Sequence, residues 1–301
     1  MLNHIVILFY KYVKISNPEQ TKLDQLSLCT SLNLKGRIII AKEGINATLE
    51  GEAPSIEKYC KELLANELFK NTHIKKSVGT GNSFPKLIIK TRPEIVSAKL
   101  ETDIDPNETT GKRLRPEDLQ NWIENKKDFE IIDMRNDYEF KSGHFENAQF
   151  SGMKHFRDIK DVPEKLSHLK DKTVVAVCTG GVRCEKASGY LIKSGWSDVY
   201  QLDGGIVSYI EKYPNRAFKG TLYVFDNRIT MNFDPPSEHE IVGSCEKCAR
   251  PSENYINCSN EDCHTHFICC KNCLDRLGRG FCTPKCAFGR VAFTQSAVTN
   301  S

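Results

Sequence analysis

The 301-residue sequence predicts a mixed α+β and α/β chain: an α+β sandwich, then a domain with a parallel sheet, then a small cysteine-rich segment. Three observations predict it. The apolar pattern changes near Arg115, from strands and helices in βαββαβ order to helices alternating with short continuous apolar runs. Charge is partitioned: residues 1–99 carry 15 Lys and Arg against 9 Asp and Glu, residues 100–214 carry 17 against 21, and residues 215–301 carry 10 against 9. The near-neutral total of +3 is therefore a cancellation, and by itself it supports neither a globally basic surface nor an acidic tail. Finally, nine of the 13 cysteines fall between Cys245 and Cys286.

In the first part, a strand is expected from Ile5 to Val13, a helix from Pro18 to Asn33, and two strands across Arg37 to Leu49 with Gly44 supplying the turn. A helix from Ser55 to Phe69 and strands at Ile74–Val78 and Lys86–Lys90 follow. This order predicts a ferredoxin-like sandwich with one added strand over residues 1–99. The polar stretch around Pro106 reads as a linker, residues 100–112.

Residues 113–215 hold the buried runs Glu130–Asp133, Thr173–Val177 and Val199–Leu202. Such runs fit parallel strands covered on both faces, with helices at Pro116–Asn125, Cys184–Ser194 and Gly205–Lys212. A β-like stretch from Gly220 to Phe233 and the pair Pro235-Pro236 lead into the cysteine-rich part of the last segment, 216–301. The start has no basic region or cleavage site, and no apolar run approaches the roughly 18–20 residues that span a bilayer. A soluble, cytoplasmic protein is expected, with no membrane partner. In a reducing compartment, clustered cysteines bind metal or do chemistry more often than they form disulfides.

The sharpest feature runs from Val175 to Ser188. A strand ends at Cys178, Gly180 and Gly181 allow a tight arc with Thr179 and Val182, and a helix begins just beyond. Backbone amides of such an arc converge on a sulfur at the positive end of a helix, and Arg183 adds a fixed charge, so Cys178 is set up as a nucleophile. Cys184 is either a resolving thiol for Cys178 or a packing residue. Cysteine phosphatases carry an Arg six positions after the Cys; here Arg183 comes five after it, and the shorter loop argues against a phosphatase. Asp133 and Arg135 follow a strand end, where ligands approach an open sheet. Asp133 fits a salt bridge bracing that loop, and Arg135 fits either that role or a ligand contact.

The domain resembles the rhodanese superfamily in Ile131–Glu139, in Ser142–Ala148 and in Leu202-Asp-Gly-Gly-Ile206. The string from Cys178 to Ser188 is closer still to the bacterial tRNA uridine-34 hydroxylases, as are Lys42–Gly51 and Phe84–Val96 in the first part. The resemblance implies oxygen-dependent hydroxylation of wobble uridine to 5-hydroxyuridine, with molecular oxygen as co-substrate, tRNA as partner and Cys178 as the persulfide-type active-site residue. A persulfide donor is a further partner to consider.

The last segment spaces its cysteines as Cys245-x2-Cys248, Cys258-x4-Cys263, Cys270-x2-Cys273 and Cys282-x3-Cys286, with Cys269 beside the third pair. Eight thiolates are enough for two closed tetrahedral zinc sites of structural type. Pairing is either interleaved, first with third and second with fourth, or sequential. His264 or His266 could replace a cysteine as ligand, with solvent exposure as the default reading.

Three functions compete. For a tRNA hydroxylase, the basic first domain offers Lys42, Lys86, Lys90 and Arg92 to phosphates, and Phe9, Tyr10 and Tyr12 lie on a strand that could stack bases, although alternation sets Phe9 and Tyr10 on opposite faces. A sulfurtransferase would use a Cys178 persulfide. A zinc-stabilised binding module would leave Cys178 and Arg183 without work.

Overall fold

The computed structural model describes residues 4–235 and 237–288. Pro236 and the last 13 residues of the expected C-terminal segment lie outside these. Along the first domain run β1 (His4–Tyr12), α1 (Pro18–Ser31), β2 (Lys35–Ala41), β3 (Gly44–Glu52), α2 (Ala53–Ala65), β4 (Lys75–Val78) and β5 (Leu87–Thr91). The sheet order is β4-β1-β3-β2-β5, antiparallel except that β5 joins β2 in parallel. This is the expected ferredoxin-like sheet with its extra edge strand.

Local sequence explains the helices. Asn17 caps α1 by accepting from the Gln20 amide at 3.1 Å, and Pro18 occupies the first turn, where its missing N–H costs nothing. In α2, Ile56, Tyr59, Cys60 and Leu63 recur at helical spacing and are buried. Strand alternation then gives the sheet two different faces. Ile7, Phe9, Ile38, Ile40 and Leu49 pack under the helices, where Cys29 and Cys60 also sit. Leu8, Tyr10, Ile39, Asn46 and Thr48 point the other way.

The central domain contains β6 (Lys112–Leu114), α3 (Pro116–Glu124), β7 (Glu130–Asp133), α4 (Asp137–Ser142), β8 (Gly143–Phe145), β9 (Gln149–Phe150), α5 (Val162–Lys165), β10 (Thr173–Val177), α6 (Val182–Lys193), β11 (Asp198–Leu202) and α7 (Gly205–Lys212). Strands β6-β11-β10-β7-β9 form one wholly parallel sheet. Its two outer strands, of three and two residues, were not expected. Edge strands this short carry no apolar run, and Lys112 and Arg113 are exposed.

The stretch before β6 is held against α6. Ile104 is buried, the Gly111 amide donates to Ser188 Oγ at 2.7 Å, and Thr110 Oγ1 donates to the Glu185 carbonyl at 3.0 Å. The fully buried Lys186 ammonium meets Glu43 at 2.7 Å, Asp103 at 2.8 Å and Glu94 at 2.9 Å. Three carboxylates from three segments offset its desolvation, and they fasten the first domain to α6.

Strands β12 (Phe218–Gly220), β13 (Leu222–Tyr223) and β14 (Thr230–Met231) follow; β12 pairs with β8, and β13 with β14. The cysteine-rich part comprises β15 (Tyr255–Asn257), β16 (His266–Ile268), α8 (Lys271–Leu277) and α9 (Pro284–Phe288). Its Tyr255 packs edge-on against Tyr223, and its hydroxyl donates to the Tyr138 carbonyl. Among the described residues, no helix is long and apolar enough to cross a membrane.

Candidate active site beneath the N-terminal sheet

Cys178 immediately follows the end of β10, and residues 178–182 arc into α6. Gly181, the N-cap of α6, has φ +100°, a backbone state that side chains rarely adopt, and a Cβ there would come 2.9 Å from the Tyr10 hydroxyl. Gly205, at φ +72°, closes the other side: a Cβ there would lie 2.6 Å from both the Cys178 carbonyl and the Gly181 amide nitrogen. The glycines foreseen as loop formers are therefore also the points where two other elements approach the loop.

The Cys178 thiol is fully buried, and burial by itself opposes ionisation. It is outweighed. The Cys184 S–H, the Arg183 charge and the backbone amides of Cys184 and Gly181 favour the thiolate and bring Cys178 down to about 6. Burial and the adjacent Cys178 push Cys184 the opposite way, well above its ordinary range, so it remains the proton-carrying partner.

Arg183 does more than charge the loop. Its guanidinium grips Glu139 of α4 with two bonds, at 2.6 and 2.7 Å, and donates to Thr179 Oγ1 at 3.1 Å. Glu139 is fully buried; that desolvation is overcome by Arg183, Arg135 and the Asn136 amide, which hold its carboxyl below the usual range. Glu139 ends the motif read from the sequence, yet its acidic neighbours Asp133 and Asp137 made it indistinguishable there. Asp133 and Arg135 form a wholly buried pair at 2.6 Å, and Arg135 also donates to the Gly143 carbonyl at 2.6 Å. Both brace the turn after β7.

The sheet face left bare by the N-terminal helices roofs this loop. Tyr10 donates to Glu185 at 2.9 Å, and Tyr12 to the Val182 carbonyl at 3.2 Å. Phe9 is in the opposite, helix-side core. The aromatics considered for base stacking are thus taken up by the core and by the domain contact, because alternation turns Tyr10 and Tyr12 toward α6. Lys75 of β4 is buried with its ammonium 5.5 Å from the Tyr10 ring centroid; burial lowers it to about 8 against the attraction of Cys178, Asp203 and Glu211.

Between roof and loop lies a cavity of about 380 Å³. Leu8, Tyr10 and Lys75 line one side, and Thr179, Gly180, Val182 and Arg183 the other; the fully buried Cys178 directly precedes Thr179 and is not itself a lining residue. The volume falls within the roughly 300–1,000 Å³ of small-ligand sites.

Comparison with known proteins decides the family. Residues 4–95 match a UPF0176 acylphosphatase-like domain, residues 115–212 a rhodanese-like domain and residues 219–287 a rhodanese C-terminal domain. A tRNA uridine(34) hydroxylase of Bacillus licheniformis is 40% identical over 284 residues, 93% of this chain and 87% of the relative. One from Staphylococcus carnosus is 40% identical over 91% of this chain and 90% of its own. One from Aster yellows witches'-broom phytoplasma is 42% identical over 95% and 92%. The chain belongs to the tRNA uridine(34) hydroxylase family.

In this hydroxylase-family chain the eight paired cysteines gather into two groups, Cys245, Cys248, Cys270 and Cys273, and Cys258, Cys263, Cys282 and Cys286, each with its sulfurs within 4.8 Å of one another. The grouping is the interleaved one. Sulfur separations of 3.6 Å (Cys248–Cys270), 3.6 Å (Cys263–Cys282) and 3.5 Å (Cys282–Cys286) approach the about 3.8 Å that a tetrahedron of 2.3 Å bonds requires. The donor set therefore fits zinc. Cys269 is buried outside both groups; His264 is exposed and His266 half-buried, its Nδ1 2.9 Å from the Tyr223 hydroxyl. Lys42 is exposed at the β2–β3 turn, and Lys86, Lys90 and Arg92 are exposed along the outer edge of the family's N-terminal sheet.

Proposed function

We propose that this chain hydroxylates uridine 34 of tRNA to 5-hydroxyuridine, using molecular oxygen, with Cys178 carrying the reacting sulfur. One observation carries the reading: a thiol held toward thiolate lies behind the floor of a cavity roofed by a second domain. A buried sulfur of this kind suits a reactant as small as dioxygen, while the cavity holds the base. Inserting one oxygen atom at the uracil C5–H leaves the other to be reduced to water, which takes two electrons and two protons. Two thiols passing to a disulfide release that number, and Cys178 and Cys184 are two buried thiols at the site, each bearing on the other's ionisation. An external thiol would restore them.

In this reading residues 1–99 roof the site and bring Lys42, Lys86, Lys90 and Arg92 to RNA phosphates, 100–112 strap the domains together, 113–215 carry the chemistry, and 216–301 hold two structural zinc ions. The Asp133–Arg135 pair positions the strand end beneath Glu139. The enzyme works in the cytoplasm. A sulfurtransferase that forms a Cys178 persulfide is the second reading, favoured by the same converging amides; its donor would be a persulfide or thiosulfate.

Nucleoside mass spectrometry tests the first reading. Full-length protein with dioxygen, a thiol and unmodified tRNA is expected to yield 5-hydroxyuridine, and Cys178→Ala to reduce it by about 10³-fold or more. An active Cys178→Ala would remove the cysteine from the mechanism. Thiosulfate:cyanide transfer without tRNA hydroxylation would favour the second reading.

A further inference from the structure

The cavity above Cys178 is not isolated. A groove of about 930 Å³ runs between all three parts of the chain, with walls that include Arg37 of β2, Lys154 after β9, and Asn257 and His264 of the cysteine-rich part. Groove and cavity share four lining residues, Arg37, Val224, Phe225 and Asp226, so the two spaces adjoin at these side chains, which form the neck between them.

Two features of the neck and groove are unusual. Phe225 is 46% exposed and is the one exposed aromatic among the described residues. Its ring is held edge-on by Tyr223 at 5.4 Å, and the Arg183 guanidinium lies 5.7 Å from its centroid, which ties it to the Cys178 loop. These contacts hold the ring on one side only, and its exposed part stands at the wall shared by groove and cavity. Arg37 and Lys154, both exposed, have no carboxylate partner among the described residues, whereas Asp226 is taken by Arg228 at 2.6 Å and Glu246 by Lys141 at 2.8 Å. Of the acidic lining only Asp137 is left, so the free charge of the groove is positive.

The geometry points to this groove as the seat of a single-stranded RNA loop, with Phe225 stacking a base at the neck. The inference rests on the tRNA reading above and names the surface that reading needs. An enzyme acting on a base must take it out of its stack, and an aromatic ring at the threshold replaces the lost stacking. Arg37 and Lys154 then meet backbone phosphates on either side. The groove thus assigns RNA contact to residues different from the lysines at the far sheet edge.

The test uses the full chain and an anticodon stem-loop RNA carrying 2-aminopurine beside the target uridine. Wild type is expected to quench the probe on binding. Phe225→Ala should bind about 5- to 150-fold more weakly and lose the quenching, while Phe225→Trp should remain within about threefold of wild type. The Arg37→Ala/Lys154→Ala double variant should flatten the log–log salt slope by about 1.4, two contacts at 0.7 each. Lys58→Ala, which removes a cation from α2 on the opposite layer, should leave the slope unchanged. Phe225→Ala binding within about twofold of wild type, Phe225→Trp as weak as Phe225→Ala, or absence of quenching in wild type would overturn the proposal. Because wild type and Trp variant alone decide the stacking readout, a poorly folded Ala variant does not stall the test. Wild type that hydroxylates tRNA while Phe225→Ala binds normally sinks this inference alone; wild type that neither binds nor hydroxylates tRNA sinks both.

Discussion

The loop at Cys178 and the clusters beyond Cys245 use the same functional group in opposite ways. Around Cys178 the protein supplies hydrogen-bond donors and a cation to one sulfur, and leaves the second, Cys184, protonated beside it. In the clusters four sulfurs gather within 4.8 Å of one another, and the two pairs are separated by 22 positions in one cluster and 19 in the other. A thiolate stabilised by amides remains available to react. Four thiolates that share a metal have no free position and serve as a fastening. What separates chemistry from structure is therefore the surroundings of the sulfur.

That contrast breaks if the tail tolerates loss of its metal. Structural zinc contributes about 10–16 kcal/mol of apparent binding energy in small fingers, so Cys270→Ser should halve a zinc content of two per chain and open residues 245–286 to proteolysis, with the Cys178 loop still folded. Metal analysis and limited digestion read this; a variant as resistant as wild type would mean that the sulfurs are not fastened by metal. Next in size is Glu139→Gln, which leaves the Arg183 charge without its buried partner and should cost about 3 kcal/mol in urea unfolding. An unchanged midpoint would deny the pair its bracing role.

A sharper probe is the thiolate itself. Absorbance near 240 nm, taken as wild type minus Cys178→Ala, should titrate at about 6, and Cys184→Ala should move the midpoint upward by removing a donor to the thiolate. The folded value lies below the ordinary 9.0, so the thiolate's contribution to stability is fully present above about 9 and is lost as pH falls toward about 6. A downward move in Cys184→Ala would show that Cys184 opposes the charge. The smallest effect is expected at the roof: Tyr10→Phe loses one bond to Glu185 and should lower stability by about 1 kcal/mol.

Much of this was legible in the residues. Period-2 alternation and helical spacing gave nearly every long element within a few positions, and Val175–Ser188 marked its own strand, arc and helix because glycine pairs leave few other conformations. The cysteine spacing marked four pairs and left open how they join. What could not be read was which side chain meets which across elements. Glu139 is one carboxylate among 39 acidic residues, and only its burial against Arg183 distinguishes it. Strands β6 and β9 are too short to have a period at all.

The sequence by itself determined the order of the three parts, which sulfurs are set apart by their local pattern, and the family, because these depend on local patterns along the chain. Only the tertiary structure decided that the N-terminal sheet turns Tyr10, Tyr12 and Lys75 onto the Cys178 loop, that Arg183 answers to Glu139, and that the cysteine pairs interleave. Each of these joins residues tens to more than a hundred positions apart, and the free energy of such contacts comes from shared burial, which no local pattern records.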